Sequence, residues 1–394
     1  TTMKILLITQ NFYPEIGSAA NRLKNLYTHL SKENTVDVLT TAPTYPNQKL
    51  YQEGKYWDEP EIDKSPEVLR LKMRIDKQSK SLRMRVLYYL ELAYKVWLYV
   101  KRYQTDYDVI YVTSPNIFLP WATFFSQKKH TGVKKVLEVR DLWPDSVKEI
   151  EKLKINLFFP ILKYMEKQIY KLADKIIVNN EEFKDHILRI TPKKKILYLP
   201  NSLQRSEIDF KEVNDNFKVI YTGNIGLAQN YEQIKEVADY LEENQIIFNI
   251  IGYGAYAHQL RDIIEMQDMK YVTFYDEKSR EECLELTRDH NVALSLLKES
   301  EVFLRVLPGK VVDAIGSGVP VVSNLSGYSA DLINHSNVGF SKSKATTVDI
   351  IKMIKEIRDN PLLEKEMRLN ARRLTEDLFI WENNIESLNE FLKD

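Results

Sequence analysis

The sequence is poor in the residues that build disulfides and metal sites. It contains one cysteine, Cys283, in 394 residues, which excludes a disulfide within the chain and a zinc site built on cysteines. The six histidines show no H-E-x-x-H or similar spacing, so no metal site is predicted. A single thiol fits a reducing cytoplasm.

Long hydrophobic runs are missing as well. No stretch approaches the roughly 18 apolar residues of a membrane-spanning helix. Hydrophobic residues make up 44% of the chain and charged residues 28%, which is typical of a soluble protein with a sizeable core. At roughly 100–200 residues per domain, the length predicts two domains.

The formal net charge is zero, but the charges are unevenly distributed. Residues 1–200 contain 34 Lys+Arg and 23 Asp+Glu, a balance of +11, whereas residues 201–394 contain 22 and 33, a balance of −11. A basic surface attracts phospholipid headgroups, diphosphates or nucleic acid. Two soluble halves that attract each other would show the same asymmetry, so charge alone does not choose a partner.

Short apolar runs that predict strands alternate with helical patterns such as 82–102, 231–243 and 257–266. The predicted strands are 4–9, 36–40, 108–112, 136–139, 175–179 and 195–199, then 218–221, 246–251, 271–274, 292–296 and 320–323. Near-continuous apolar runs are typical of strands covered on both faces. The sequence therefore predicts an α/β fold of two Rossmann-like, doubly wound parallel-sheet domains facing each other across a cleft. These domains would be 1–200 and 201–377, joined by a polar linker at 203–216.

A loop of small residues follows the first predicted strand. Residues 11–22 read N-F-Y-P-E-I-G-S-A-A-N-R. Gly17 and Ser18 would let a ligand approach the backbone, and the N–H groups at the helix start would bind negative charge. An ordinary strand-to-helix turn could have the same composition.

The segment E-V-R-D-L-W-P-D at 138–145 runs directly out of a strand. Charged residues at the carboxyl end of a parallel strand lie where such sheets bind ligands. Arg140, Asp141 and Asp145 are therefore candidates for orienting sugar hydroxyls. The alternative is a salt bridge followed by a proline turn.

Two glycine-containing turns mark the second half. In Y-T-G-N-I-G at 221–226, Gly223 and Gly226 before a helix are typical of an anion-binding nest. The I-G-Y-G at 251–254 lacks the third glycine of a dinucleotide fingerprint, which disfavours a dehydrogenase. We predict that it lets a helix pack closely on a strand.

The segment L-P-G-K-V-V-D at 307–313 carries the strongest functional signal. Lys310 and Asp313 are three residues apart, so they share one helix face. A cation at a helix start opposes the helix dipole, which indicates an anionic ligand nearby. Asp313 could accept two hydrogen bonds from a ribose diol. A capped helix with a surface ion pair is the alternative.

Two further segments have less specific patterns. The D-Y-D at 106–108 precedes a strand, so we interpret it as a turn rather than as a metal-binding motif. Residues 70–102 contain ten Lys+Arg and two acids with interleaved aromatics. We predict a core-facing helix whose preceding basic loop faces an anionic membrane. Nucleic acid is not predicted, because no nucleic-acid module is recognisable.

Together these motifs resemble glycosyltransferase family 4, which has the GT-B fold, over nearly the whole chain. More narrowly, the sequence is similar to bacterial N-acetyl amino sugar transferases of capsule and O-antigen clusters, including N-acetylfucosamine transferases. The resemblance implies retaining transfer of such a sugar, for example N-acetyl-L-fucosamine, from UDP to a lipid-diphosphate-linked saccharide. It implies no cofactor or metal, and a cytoplasmic enzyme held peripherally on the inner face of the cell membrane.

The resemblance also implies roles for individual residues. Asp313 would bind ribose, Lys310 would lie near the diphosphate, and Phe274 and Tyr275 would lie where the backbone meets the base. The implied donor-binding residues are Gly17, Ser18, Gly223, Asn224, Phe274, Tyr275, Lys310 and Asp313; the catalytic ones are Arg140, Asp141, Arg305 and Lys310; the acceptor-binding ones are Arg22 and Asp145. A last helix, about 378–394, would pack back onto the first domain.

The sequence departs from the family pattern at several positions. The broad family has a histidine where Arg140 stands, and the first glutamate of its seven-spaced pair falls on Arg305. Positive residues that usually follow the turn at Gly223 are missing. We therefore predict that Arg305 and Lys310 stabilise the charge that develops on the departing diphosphate.

Two other functions fit the same motifs. A UDP-N-acetylglucosamine 2-epimerase shares the GT-B fold and would release a free epimer without an acceptor. A non-enzymatic nucleotide-sugar-binding protein would bind UDP tightly without turnover.

Overall fold

The computed structural model describes residues 2–76, 81–146, 157–212 and 215–394, with the side chains at 301–302 excepted. The chain forms two compact units. Unit 1 comprises Thr1–Pro200 with Glu382–Asp394, and unit 2 comprises Asn201–Trp381.

Unit 1 is built on a seven-stranded parallel sheet with the order β3-β2-β1-β4-β5-β6-β7. Its strands are β1 Lys4–Ile8, β2 Thr35–Thr41, β3 Val68–Leu71, β4 Val109–Thr113, β5 Lys134–Val139, β6 Lys175–Val178 and β7 Ile196–Tyr198. Its helices are α1 Ser18–Leu30, α2 Pro60–Asp63, α3 Leu82–Tyr103, α4 Phe118–Phe125, α5 Phe159–Leu172 and α6 Phe183–Ile190. The central strands are buried apolar runs, as parallel strands covered on both faces must be.

Unit 2 repeats this architecture with a six-stranded parallel sheet of order β10-β9-β8-β11-β12-β13. Its strands are β8 Lys218–Asn224, β9 Ile247–Tyr253, β10 Val272–Tyr275, β11 Val292–Ser295, β12 Val321–Ser323 and β13 Gly339–Ser341. Its helices are α7 Tyr231–Glu243, α8 Ala257–Met266, α9 Arg280–Arg288, α10 Glu301–Leu304, α11 Gly309–Gly316, α12 Gly327–His335, α13 Thr347–Arg358 and α14 Pro361–Leu378. The last helix, α15 Trp381–Lys393, begins at the end of unit 2 and continues into unit 1.

The segment predicted as a linker is packed against unit 2. Leu203 is buried and pairs with the backbone on both sides of Ile380. Glu207 binds Arg280, and the Phe210 ring lies beside Gly318. The linker interpretation was therefore wrong for these residues, because apolar and ionic anchors are distributed among the polar ones.

Strand order defines where ligands are expected in each sheet. In a doubly wound sheet, ligands bind at the carboxyl ends of the strands where the strand order reverses. This switch point lies between β1 and β4 in unit 1 and between β8 and β11 in unit 2. The loops after β1, β4, β8 and β11 are therefore the first places to look for a site.

Candidate active site

The turn after β8 is held in one conformation by hydrogen bonds. Gly223 has φ 110°, a left-handed value that favours glycine. The Gly226 N–H donates to the side-chain oxygen of Gln229 at 2.8 Å, and the Asn224 amide donates to the same oxygen at 3.3 Å. The Tyr221 hydroxyl donates to the Asn224 carbonyl at 2.8 Å. Gln229 thus orders the turn that was predicted to face a diphosphate.

The two glycines at 252 and 254 serve this same turn rather than a helix. A Cβ on Gly252 would lie 2.6 Å from Ile225 Cδ1, and one on Gly254 would lie 2.2 Å from Asn224 Oδ1. The predicted helix packing was therefore wrong. The glycines let the turn after β8 lie against the end of β9.

Lys310 lies in the first turn of α11, beside the turn after β8. Its Nζ is 3.8 Å from the centre of the Tyr221 ring, a cation–π contact. Its Cε is 3.6 Å from the position that a Cβ on Gly223 would occupy, an ordinary van der Waals distance, so the lysine side chain packs directly beside this glycine. Burial lowers the pKa of Lys310 to about 7. No described residue accepts a hydrogen bond from its ammonium group or forms an ion pair with it.

One turn further along α11, Asp313 is held by an arginine that sequence reasoning missed. Both oxygens of Asp313 accept hydrogen bonds from Arg280, at 2.9 and 3.0 Å. The Arg280 Nε donates to Glu207 at 2.7 Å. Burial alone would lower the pKa of Arg280, but Asp313 and Glu207 raise it above its ordinary value. We call these three residues the α11 cluster.

The predicted base-binding residues lie at the carboxyl end of β10. The Phe274 ring packs against Gly252, since a Cβ there would come within 3.0 Å of Cζ. The Arg261 guanidinium lies 5.2 Å from the same ring. Tyr275 is exposed, with the Lys278 ammonium 5.5 Å from its ring. Both aromatic residues thus lie at the ligand edge of the sheet.

In unit 1, the loop after β1 is tied to neighbouring loops. Glu15 accepts hydrogen bonds from the backbone N–H groups of Thr44 and Tyr45, each at 2.9 Å. Gly17, with φ 112°, is the N-cap of α1, and Ser18 is its first residue. Gly17 and Ser18, predicted to bind the donor, therefore lie at a helix start on the switch point.

The side chains of the E-V-R-D-L-W-P-D motif separate into different environments. Asp141 accepts a hydrogen bond from the N–H of Leu142 at 2.9 Å, and burial raises its pKa. Asp145 pairs with Lys163 at 3.2 Å, and Lys163 also binds Glu166 at 2.6 Å. The Arg140 Nε donates to the Thr113 hydroxyl at 2.8 Å.

The predicted acceptor role of Arg22 is not supported by its surroundings. Arg22 is 1% exposed, its Nε and Nη2 each lie 2.8 Å from Glu138, and its Nη1 donates to the Leu199 carbonyl at 2.7 Å. Two hydrogen bonds and one ion-pair contact hold this buried guanidinium in the interior of unit 1, so we reassign Arg22 as a structural counter-ion. The sequence around Arg22 does not indicate this ion pair, because Glu138 is 116 residues away.

Two other predictions concern residues at element ends. Arg305 is exposed at the carboxyl end of α10, and its diphosphate role stays a prediction. The D-Y-D turn lies at the amino end of β4, where Asp108 accepts a hydrogen bond from the Lys4 N–H at 2.8 Å. That end is opposite the ligand edge, as the turn interpretation required.

A metal site would need at least three His, Cys, Asp or Glu side chains close together. Within the described ranges, no such group is found.

Comparison with known proteins assigns the chain to a family. The model of glycosyltransferase family 4 matches residues 19–205, and the model of glycosyl transferases group 1 matches residues 204–374. The chain is a family 4 glycosyltransferase of GT-B fold. It is accordingly a hexosyltransferase that uses a nucleotide-sugar donor.

Individual relatives are distant but cover the whole architecture. WcaI of Escherichia coli K12, named as a colanic acid biosynthesis glycosyl transferase, is 22% identical over 83% of this chain and 84% of its own. Sucrose-phosphate synthase from Thermosynechococcus elongatus has a TM-score of 0.75 at 16% identity, covering 99% of this chain and 98% of that one. Anabaena HepE in complex with UDP and glucose has a TM-score of 0.70 at 14% identity, covering 99% of both chains. The two structures support the predicted GT-B fold.

Proposed function

We propose that this glycosyltransferase transfers an N-acetylated amino sugar, with N-acetyl-L-fucosamine as the first candidate, from a UDP-sugar to a lipid-diphosphate-linked saccharide with retention of anomeric configuration. The observation that carries the donor half is Lys310. A half-buried ammonium group on an aromatic ring, beside the turn after β8, is costly unless an anion binds there. UDP in the HepE complex supports the choice of nucleotide.

The chemistry needs a group that stabilises the leaving diphosphate. Cleavage of the anomeric bond adds negative charge to the diphosphate as the transition state forms. Lys310 would bind that charge more tightly than it binds the ground state. The N–H groups of Ile225 and Gly226 already donate to Tyr253 and Gln229, so they hold the turn in place beside the lysine. Because the lysine supplies the positive charge, we propose that transfer needs no metal. Activity should therefore persist in excess EDTA, and a loss restored by Mg²⁺ would contradict this.

The contacts in the α11 cluster support ribose binding by Asp313, with its carboxylate held in place by Arg280. Each carboxylate offers about four acceptor positions, and Arg280 uses two of those on Asp313. The side chain is 28% exposed, so the remaining positions are accessible to ribose hydroxyls. Arg280 would act as a positioning residue that fixes the carboxylate for the diol.

Unit 1 would bind the acceptor and an anionic membrane surface. The outer face of α3 carries an apolar stripe of residues that are 36–63% exposed: Met84, Leu87, Leu90, Tyr94 and Leu98. Exposed cations Arg83, Lys101 and Arg102 flank it. Aliphatic groups with neighbouring cations suit the headgroup region of anionic bilayers. Over the described ranges, every helix is too short or too polar to cross a bilayer. We propose peripheral attachment to the inner face of the cell membrane, in capsule or O-antigen synthesis.

Transfer is tested by incubating the enzyme with UDP-N-acetyl sugars and a lipid-diphosphate-linked saccharide, followed by NMR of the product anomer. The proposal predicts a product with the donor's anomeric configuration. An inverted product would contradict retention, free epimer formed without acceptor would indicate the epimerase, and UDP binding with no turnover would indicate a binding protein.

Membrane attachment is tested by flotation with phosphatidylglycerol vesicles. Leu87→Ser with Tyr94→Ser should reduce the bound fraction, and salt should reduce binding of the unaltered protein. Met266→Ser with Leu362→Ser is the matched control, because both residues are exposed apolar residues of unit 2. Equal losses in both double variants, or binding that ignores ionic strength, would contradict the proposed surface.

A further inference from the structure

Two arginines and one glutamate meet at the carboxyl end of β5. We call Arg22, Glu138 and Arg140 the β5 cluster. Glu138 is fully buried, and its Oε1 accepts hydrogen bonds from the Arg22 Nε at 2.8 Å and from the Tyr111 hydroxyl at 2.5 Å, with the Arg22 Nη2 in ion-pair contact at 2.8 Å. Its Oε2 accepts from the Thr113 hydroxyl at 2.7 Å. Three hydrogen-bond donors and the Arg22 Nη2 ion contact thus surround the carboxylate.

Arg140 is the second cation and is only loosely paired. Its Nε lies 3.6 Å from Glu138 Oε2, which is too long for a hydrogen bond, and donates instead to Thr113. Among the described residues, none accepts a hydrogen bond from either terminal nitrogen of Arg140. Arg22 already neutralises Glu138, so the β5 cluster has one positive charge in surplus.

The environment of Arg140 favours an anionic ligand. Its side chain is only 10% exposed, so the charge has lost most of its hydration and gains strongly from a partner. Burial lowers the pKa of Arg140 and Arg22 lowers it further, whereas Glu138, Tyr111 and Asp141 raise it. The nearest further acid along the chain, Asp141, accepts from its own backbone neighbour rather than from Arg140. The two terminal nitrogens form a planar fork that matches a phosphate or a carboxylate.

We propose that Arg140 binds an oxyanion of the acceptor, a phosphate of its lipid diphosphate or a carboxylate of its sugar, and that Arg22 and Glu138 position it. The inference rests on the proposed function, which assigns the acceptor to unit 1. Arg140 lies at the carboxyl edge of the sheet beside β4, where doubly wound sheets bind ligands.

The test titrates two soluble probes into the full-length protein by calorimetry, with UDP present at saturation so that the donor site is filled. Geranyl diphosphate represents the lipid diphosphate, and methyl glucuronide represents an acidic sugar. We expect one probe to bind, and Arg140→Gln to weaken its binding about 10- to 100-fold. Arg140→Lys should weaken it less, because lysine keeps the charge but loses the fork. Arg189→Gln, which removes an exposed cation from α6, should bind as the unaltered protein does.

Three outcomes would overturn the inference: neither probe binds, Arg140→Gln binds the probe unchanged, or Arg140→Gln weakens UDP as much as the probe. A folded Arg140→Gln variant is expected, because the substitution removes a charge that repels Arg22; its thermal unfolding is recorded beside each titration. Failure of the proposed function looks different, since UDP binding and transfer would then be absent from the unaltered protein.

Discussion

The ratio of guanidinium groups to carboxylates is reversed between the ionic clusters of the two units. In the β5 cluster of unit 1, two guanidinium groups share one fully buried carboxylate. In the α11 cluster of unit 2, one guanidinium binds two carboxylates that are 20% and 28% exposed. Lys310 lies outside this cluster and contacts the Tyr221 ring. We propose that the difference separates charges that hold the fold together, such as Arg22, from charges that bind a ligand, such as Lys310 and Arg140.

The largest expected effect is on stability in unit 1. Arg22→Met leaves Glu138 buried without its main counter-ion and should lower the free energy of unfolding by about 3–5 kcal/mol. Arg280→Met should cost about 1–2 kcal/mol, because water can reach Asp313 and Glu207. Urea unfolding of both variants checks this. Equal losses of unfolding free energy in the two variants would contradict the distinction between a fully buried ion pair and a solvent-accessible one.

Lys310→Met separates function from stability in unit 2. It should lower the transfer rate by about 100- to 1000-fold, as expected when one stabilising donor is removed from a charged transition state. The same change should raise the thermal unfolding temperature by about 2–4 °C, if relief of the buried charge is worth roughly 1 kcal/mol. Steady-state kinetics test the expected fall in transfer rate, and calorimetry tests the expected rise in unfolding temperature. A variant that transfers normally would exclude Lys310 from the reaction.

Gly223→Ala tests how closely the lysine and the turn after β8 fit together. The left-handed φ at Gly223 makes any side chain costly, by about 1–3 kcal/mol, and the new Cβ would contact Lys310. Gly132→Ala is the matched control, because Gly132 also has a left-handed φ, 75°, but nothing lies within 4 Å of its added Cβ. Both variants should lose stability, but only Gly223→Ala should raise the KM for the donor. An equal rise in the donor KM of both variants would contradict a close contact between Lys310 and the turn after β8.

The pH dependence of donor binding should reflect the lowered pKa of Lys310. The ammonium is charged below its pKa of about 7 and loses its proton as pH rises through that value. The KM for the donor should therefore rise by up to about tenfold per pH unit above 7, less where the bound anion raises the pKa. Lys310→Arg should abolish this slope, because arginine stays protonated. A pH-independent KM in the unaltered enzyme would count against a titrating Lys310.

The regular elements were predictable where hydrophobic periodicity is strong. The predicted helices 231–243 and 257–266 are confirmed as α7 and α8. Strands β3 and β13 were missed, because V-L-R-L is partly exposed and G-F-S is only three residues long. The confirmed family and fold rest on motifs that are contiguous in the sequence.

Side-chain partners were much less predictable. Arg280 and Glu207 are 73 residues apart, and Arg280 lies at the start of a helix whose sequence, R-E-E-C-L, looks like a solvated surface. Arg22 stood next to a candidate loop and was assigned to it, whereas its partner Glu138 lies on another strand. Pairing across such separations depends on strand order, which local patterns do not specify.

The central claim is that Lys310 marks a binding site for a uridine diphosphate donor. The most direct measurement is a thermal-shift titration with UDP, GDP, ADP and NAD, with and without Mg²⁺, on the unaltered enzyme and on Lys310→Met. The account predicts stabilisation by UDP without metal, about 2.7 kcal/mol at a hundred times the Kd, and its loss in Lys310→Met. Stabilisation by NAD, by none of the ligands, or equally by UDP in both proteins would contradict it.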